Sequence, residues 1–259
     1  MKEERILDFH VHPFADSEHN LCMYPGTFDP DPAGMKKQLE AAGITHICGS
    51  VLQKKHPQDA GFEAIRALNR EALALRDILG DFYTPGFHIH PFYVKESCEE
   101  IEFMHTKGVN LIGELVPYMH GWKEFEEKNW MEIMDTARQY RMVCSYHTPF
   151  DYPMQHMLEC FPELAFVAAH PGDRQKVFEQ EELFRRYPNL YLDLSGTGLF
   201  RFGLVRYLIS RLGSEKVLFG TDYPITNPRM YVQAVYGEEL SDADRALIFH
   251  GNAERLLGL

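Results

Sequence analysis

Residues able to bind a metal ion recur where short apolar runs of this chain end. One run closes on Asp8-Phe9-His10-Val11-His12 and a later one on Ile112-Gly113-Glu114. Others close on Ser145-Tyr146-His147-Thr148-Pro149, on Ala169-His170-Pro171-Gly172-Asp173 and on Gly220-Thr221-Asp222-Tyr223-Pro224. Imidazole and carboxylate suit zinc, manganese or iron, and a partial shell of them leaves a position open to water. Side chains alternate along an extended strand. His10 and His12 therefore lie on one face and can grip one ion from one side, while His147, His170 and Asp222 would close the cage from other strands. A single strand-end histidine is usually a hydrogen-bonded core or surface residue. The joint arrangement is hard to obtain by accident.

For these residues to meet, the runs that carry them must lie side by side. Eight runs have the near-continuous apolar character of parallel strands covered on both faces: Ile6–His10, Thr45–Val51, Tyr83–His88, Leu111–Leu115, Val143–Tyr146, Ala165–Ala169, Leu190–Leu194 and Val217–Gly220. Helical periodicity lies between them, over Ala60–Leu79, Trp130–Tyr140 and Leu204–Leu212 among others. The stretch from Pro13 to Gly34, rich in Pro, Asp and Gly, reads as a long loop. No repeat or linker divides the 259 residues. The expected fold is α/β, one (β/α)8 TIM-barrel domain over residues 1–259. A doubly wound open sheet is the alternative, but its phosphate-binding glycine fingerprint is missing after the first strand. In a closed barrel the strand ends form one ring around the mouth, where the active sites of such barrels are built.

Composition narrows the partners. Against 26 Lys+Arg stand 38 Asp+Glu, for a formal net charge of −12. Nucleic acid and anionic membranes need clustered basic residues, so neither is an expected partner and a small molecule is. No stretch approaches the roughly 18 apolar residues of a membrane span. The N-terminal residues lack the apolar core of a signal peptide. The five cysteines are dispersed without a CxxC, which suits reduced thiols in a cytoplasmic setting.

The motifs DFHVHP, IGELVPY, SYHTP, AAHPGD and FGTDYP resemble those of the amidohydrolase superfamily, metal-dependent TIM-barrel enzymes. The likeness is strongest to the amidohydrolase-related branch that includes aminocarboxymuconate semialdehyde decarboxylase-like proteins. The closing Phe249-His250-Gly251-Asn252-Ala253-Glu254-Arg255-Leu256-Leu257 is similar to that branch's terminal helix. The resemblance implies that His10 and His12 bind the more buried metal with Asp222, and that His147 is a further ligand. It implies that His170 is a second-metal ligand or an acid/base and orienting group, and that Asp222 also accepts a proton from water. Glu114 departs from the mononuclear decarboxylases and is similar to the Gly-Glu of the TatD-like branch, where it bridges two ions. One or two divalent ions are implied, zinc first and manganese or iron next. Barrels of this branch often pair, which makes a homodimer the expected assembly if there is one.

The resulting expectation is metal-assisted hydrolysis of a small ester, lactone, amide or phosphoester. Asp222 acts as base, and His170 or a metal stabilises the oxyanion. The alternative is nonoxidative decarboxylation of a small unsaturated or aromatic carboxylic acid. A metal-binding scaffold without activity is the non-enzymatic reading, against which the intact ligand set speaks. Around the mouth, His88 and His90 repeat the HxH spacing and are candidate substrate contacts. Tyr118, with His120 and Trp122, is a candidate wall. Asp193 is placed to orient a ligand histidine, Arg201 to meet an acidic group, and Asp8 to sit at strand level away from the metal.

Overall fold

The computed structural model describes residues 4–24, 26, 29–53, 60–123, 125, 128–147 and 154–259. Of the motif Ser145–Pro149, Thr148 and Pro149 lie outside the described residues. Eight strands, β1 (Leu7–Val11), β2 (His46–Gly49), β3 (Tyr83–Phe87), β4 (Leu111–Leu115), β5 (Val143–His147), β6 (Ala165–Ala169), β7 (Leu190–Asp193) and β8 (Val217–Leu218), follow one another in sequence order in one sheet. Each pairs in parallel with the next. Between and after them run α1 (Pro32–Ala41), α2 (Gly61–Leu79), α3 (Val94–Thr106), α4 (Pro117–His120), α5 (Lys128–Gln139), α6 (Gln155–Cys160), α7 (Arg174–Arg186), α8 (Leu204–Leu212), α9 (Pro228–Tyr236), α10 (Asp242–Ala246) and α11 (Asn252–Leu257).

The seam between β8 and β1 is joined by a parallel bridge of Val11 with Tyr223 and by Phe9 N–H donating to Phe219 O at 2.9 Å. Asp8 ties the same seam. Its carboxylate accepts from the Thr221 N–H at 2.9 Å and the Thr221 hydroxyl at 2.6 Å. Burial pushes the Asp8 carboxyl up to about 7, against the pull of those bonds. The sheet thus curls into the expected (β/α)8 barrel, with Asp8 at strand level.

Where boundaries differ from those expected of the sequence, local chemistry explains the shift. Helix α1 begins at Pro32, inside the expected loop, because Asp31 caps it by accepting from Gly34 N–H and Pro32 supplies a preset first turn. Strand β8 ends at Leu218 because Phe219 N–H turns to Ile248 O at 2.9 Å instead of continuing the ladder. All five cysteines are free. Among the described residues no helix is long and apolar enough to cross a membrane.

Two apolar layers hold the strands. Leu7, Phe9, Leu111, Val143, Val167 and Leu218 cluster with Ala253 and Leu257 of α11, so the terminal helix closes that layer. Outside the sheet, Trp130 of α5 is fully enclosed, its ring 4.8 Å from Trp122 and 5.0 Å from Phe125. Phe125 in turn meets Tyr146, the neighbour of His147. Trp130→Ala is expected to lower unfolding free energy by about 3–5 kcal/mol through lost burial and a residual cavity. Chemical denaturation checks this; a loss below about 1 kcal/mol would mean the cluster repacks around the gap.

Candidate metal centre

Strand β1 delivers two imidazoles to one point. A register shift lies between Asp8 and Val11, so the alternation that would send Asp8 the same way as His10 is interrupted. Beyond it, the Nε2 atoms of His10 and His12 stand 3.3 Å apart. Asp222 joins them from the end of β8, its Oδ1 3.4 Å from His12 Nε2 and 3.7 Å from His10 Nε2. Asp222 N–H donates to His10 O at 2.8 Å, which fixes the approach.

Glu114 arrives from β4, which carries a matching register shift between Ile112 and Leu115. Such irregularities re-aim side chains next to active sites. Gly113 precedes it at φ 98°, where a Cβ would stand 2.1 Å from Ser145 O, so no other residue fits there. The two oxygens of Glu114 face different groups. Oε2 lies 3.4 Å from both His10 Nε2 and His12 Nε2. Oε1 lies 2.9 Å from His147 Nδ1 and 3.4 Å from His170 Nε2, and those two nitrogens are 3.2 Å apart.

The far sides of the rings are also held. His10 Nδ1 meets Asp193 Oδ2 at 2.9 Å. Ser195 donates its hydroxyl proton to Asp193 Oδ1 and stands 3.0 Å from His170 Nδ1 and from His10 Nδ1. With that proton committed, the Ser195 oxygen can only accept from His170 Nδ1–H, and ionised Asp193 can only accept from His10 Nδ1–H. In the neutral form that binds a metal, both rings would therefore present bare Nε2 atoms to the Glu114 side. The strand-end pattern misses Ser195. A signal for it exists all the same: Ser195 follows the last residue of β7, Asp193, by two, so extended backbone there puts the two on one face.

The surroundings of these rings favour positive charge, carried by protons or by a cation. Burial opposes protonation of His10, yet Asp193 and Glu114 beside it hold its pKa well above the usual imidazole range. Burial likewise opposes the charge on His12, but bonding to Asp222 and Glu114 pushes it up to about 9. Glu114 is held well below the usual carboxylate range: burial would raise it, and His10 and His147 outweigh that. Ligands about 2.0–2.2 Å from one ion stand about 3–3.5 Å apart in tetrahedral or octahedral geometry. Of the separations around His10, His12 and Asp222, 3.3 and 3.4 Å meet that test and 3.7 Å is slightly wider. Among Glu114, His147 and His170 the 3.2 and 3.4 Å separations meet it, and the 2.9 Å between Glu114 and His147 is also that of a hydrogen bond. His10, His12 and Asp222, and again His10, Glu114 and His170, each form a group able to hold a metal ion.

His170 and Asp222 both adopt φ 67°, the left-handed region that non-glycine residues rarely occupy. Surroundings must impose it. At Gly196, itself at φ 59°, a Cβ would lie 2.3 Å from His170 Nδ1, so Gly196 leaves the space in which that ring sits. Gly196→Ala is expected to weaken metal binding about 10- to 100-fold, the usual cost of disturbing the support of a ligand. Competition with a chelating indicator checks this, and unchanged affinity would detach His170 from the centre.

The remaining candidates stand around this centre rather than in it. His88 and His90 are buried at 0% and 2% exposure. His88 Nε2 bonds Val51 O at 2.8 Å. His90 accepts from Phe92 N–H at Nδ1 and donates from Nε2 to His120 O at 2.9 Å, so these rings are tied to the loop after β2 and to the end of α4. His120 and Trp122 are buried. Tyr118, by contrast, is exposed and its ring stands edge-on to His147 at 5.3 Å. Arg201 donates to Gly172 O at 3.3 Å.

A family model described as "Amidohydrolase" matches residues 7–259. No curated protein matches the chain. Solved structures of similar fold include 2,6-dihydroxybenzoate decarboxylase from Rhizobium, at TM-score 0.73 and 15% identity over 98% of this chain and 99% of that one. Another is 5-carboxyvanillate decarboxylase from Novosphingobium aromaticivorans with bound manganese, at TM-score 0.69 and 15% identity over 87% of this chain and 80% of that one. A third, described as a "probable 2-pyrone-4,6-dicarboxylic acid hydrolase" from Acinetobacter baumannii, has TM-score 0.70 and 15% identity over 98% and 100%. At such identities the likeness is one of fold.

Proposed function

The chain belongs to the amidohydrolase family, and from that premise we propose that it is a metal-dependent hydrolase of a small ester, lactone, amide or phosphoester. The observation that carries this reading is the orientation of Glu114, with one oxygen toward His10 and His12 and the other toward His147 and His170. Such a carboxylate suits a bridge between two ions. Zinc is proposed first; the manganese in a decarboxylase of similar fold makes that ion the next to try.

A divalent cation held there supplies Lewis acidity, polarising a carbonyl or phosphoryl oxygen and making water acidic enough to deprotonate at a pKa of about 7. The chain does the rest. Asp222, at the open end of the His10–His12 pair, takes the proton from the attacking water. His170 completes the second ligand group when two ions are held. Where it is not a ligand it is proposed as the proton donor: burial opposes its charge, and Glu114 beside it raises its pKa against burial. It then donates to the developing oxyanion. His10 and Glu114 are nearly inaccessible, whereas His147 and His170 retain side-chain exposure of 21% and 12%. Substrate therefore enters over His147 and His170, where Tyr118 is proposed as its contact; the part proposed for His88 and His90 is to hold the neighbouring wall.

Nonoxidative decarboxylation is the second reading, favoured by the two decarboxylases of similar fold. Turnover in heavy-oxygen water separates the two. Hydrolysis places solvent oxygen in the acid or phosphate product and releases no carbon dioxide. Carbon dioxide, with solvent hydrogen on the carbon that carried the carboxylate, would transfer the assignment to decarboxylation.

A further inference from the structure

Helices α7 and α8 enclose a cavity of about 420 Å3 that shares no residue with the metal centre. Its floor is apolar, formed by Val177, Leu204 and the ring of Tyr207, whose hydroxyl is turned to Glu181 at 2.6 Å. Phe178 and Phe202 stand at its rim, 45% and 78% exposed, an unusual position for two large apolar rings. Arg174 and Arg201 are among the residues that line the same space. Arg174 lies over Phe178 at 4.8 Å, and Arg201 over Phe200 at 4.5 Å. Stacking of this kind orients the plane of the fork.

The charge on these two arginines is unanswered. Among the described residues neither has a carboxylate within ion-pair distance, although other arginines of the same two helices do. Arg185 and Arg211 pair with Glu181, and Arg206 with Glu238. Arg201 spends one N–H on Gly172 O at 3.3 Å and keeps its other donors. Two stacked cations with no ion pair among the described residues, both on residues lining an apolar space in a chain of net charge −12, suit a ligand with an anionic head and an apolar body. The volume fits a small molecule of ring size or somewhat larger.

The geometry points to a second ligand site here, binding a small amphipathic carboxylate. The carboxylate head is held by Arg174 and Arg201, and the aryl or short acyl body lies on Val177, Leu204 and Tyr207 between Phe178 and Phe202. The site is independent of the reading of the metal centre.

Calorimetric titration with 3-phenylpropanoate, and with its uncharged amide, tests this on the purified full chain. The expected result is saturable binding of the acid, at least tenfold weaker binding of the amide, and at least tenfold loss of acid affinity in Arg174→Gln/Arg201→Gln. Both arginines are at least partly exposed and lack ion pairs, and the two single variants, checked by melting, cover failure of the double. Equal binding of acid and amide would overturn the proposal. So would acid binding unchanged in the double variant, which would put the ligand at the metal centre or elsewhere. No binding of the acid would overturn it as well, and a concentration-dependent dimer broken by the same variants would then make this face a contact between copies.

Discussion

Asp222→Asn is expected to lower kcat by about 10²- to 10⁴-fold, the range that a lost general base produces, while leaving the metal content close to that of the wild type. The asparagine keeps a carbonyl oxygen where Oδ1 stands, 3.4 Å from His12 Nε2 and 3.7 Å from His10 Nε2. A neutral amide oxygen can still face an ion there. It cannot accept the proton that Asp222 takes from water. The positive φ at this position also favours the exchange, since asparagine tolerates the left-handed region as well as aspartate does. Turnover with a true substrate, set beside metal content for the same sample, separates the two roles. If kcat fell by less than about threefold with metal retained, the base would have to be sought elsewhere.

The second large effect is expected at His10. This ring belongs to both groups able to hold a metal, and no neighbour can replace a nitrogen that approaches His12, Glu114 and Asp222 together. His10→Ala removes that ligand and also strips the buried Asp193 carboxylate of the ring bonded to it at 2.9 Å. Breaking a buried charge pair on one side costs about 3–5 kcal/mol, here reduced by the hydroxyl that Ser195 still gives Asp193. The variant is therefore expected to melt lower and to hold metal at least about 100-fold more weakly. His10→Ala/Asp193→Asn, which removes the stranded charge, should recover melting temperature without recovering metal. Recovery of both would mean that His10 serves the fold and not the ion.

Much of this centre is legible in the amino-acid sequence. His10, His12, Glu114, His147, His170 and Asp222 each close an apolar run, and once the runs are parallel neighbours in a barrel their ends must converge. The rest is set by backbone detail. Alternation alone cannot separate Asp8, which ties the β8 seam through Thr221, from His10, which faces the centre; the register shift in β1 does that. The HxH spacing of His88 and His90 looks like that of His10 and His12, yet Asn69 of α2 holds the His88 backbone on both sides and Ser97 of α3 holds His90. Spacing says which residues share a strand face, and the partners packed against that strand decide what the face meets. Ser195 and Gly196 matter through space left or bonds made to rings more than 20 residues away in the chain, a relation no local pattern carries.

The direct test of the Glu114 bridge is the metal content per chain, by mass spectrometry, of wild type and Glu114→Ala purified without chelator or added metal. The bridge predicts about two ions per chain falling to about one, because the carboxylate that faces both histidine groups is gone while His10, His12 and Asp222 remain. A single ion per chain, unchanged by the substitution, would contradict it.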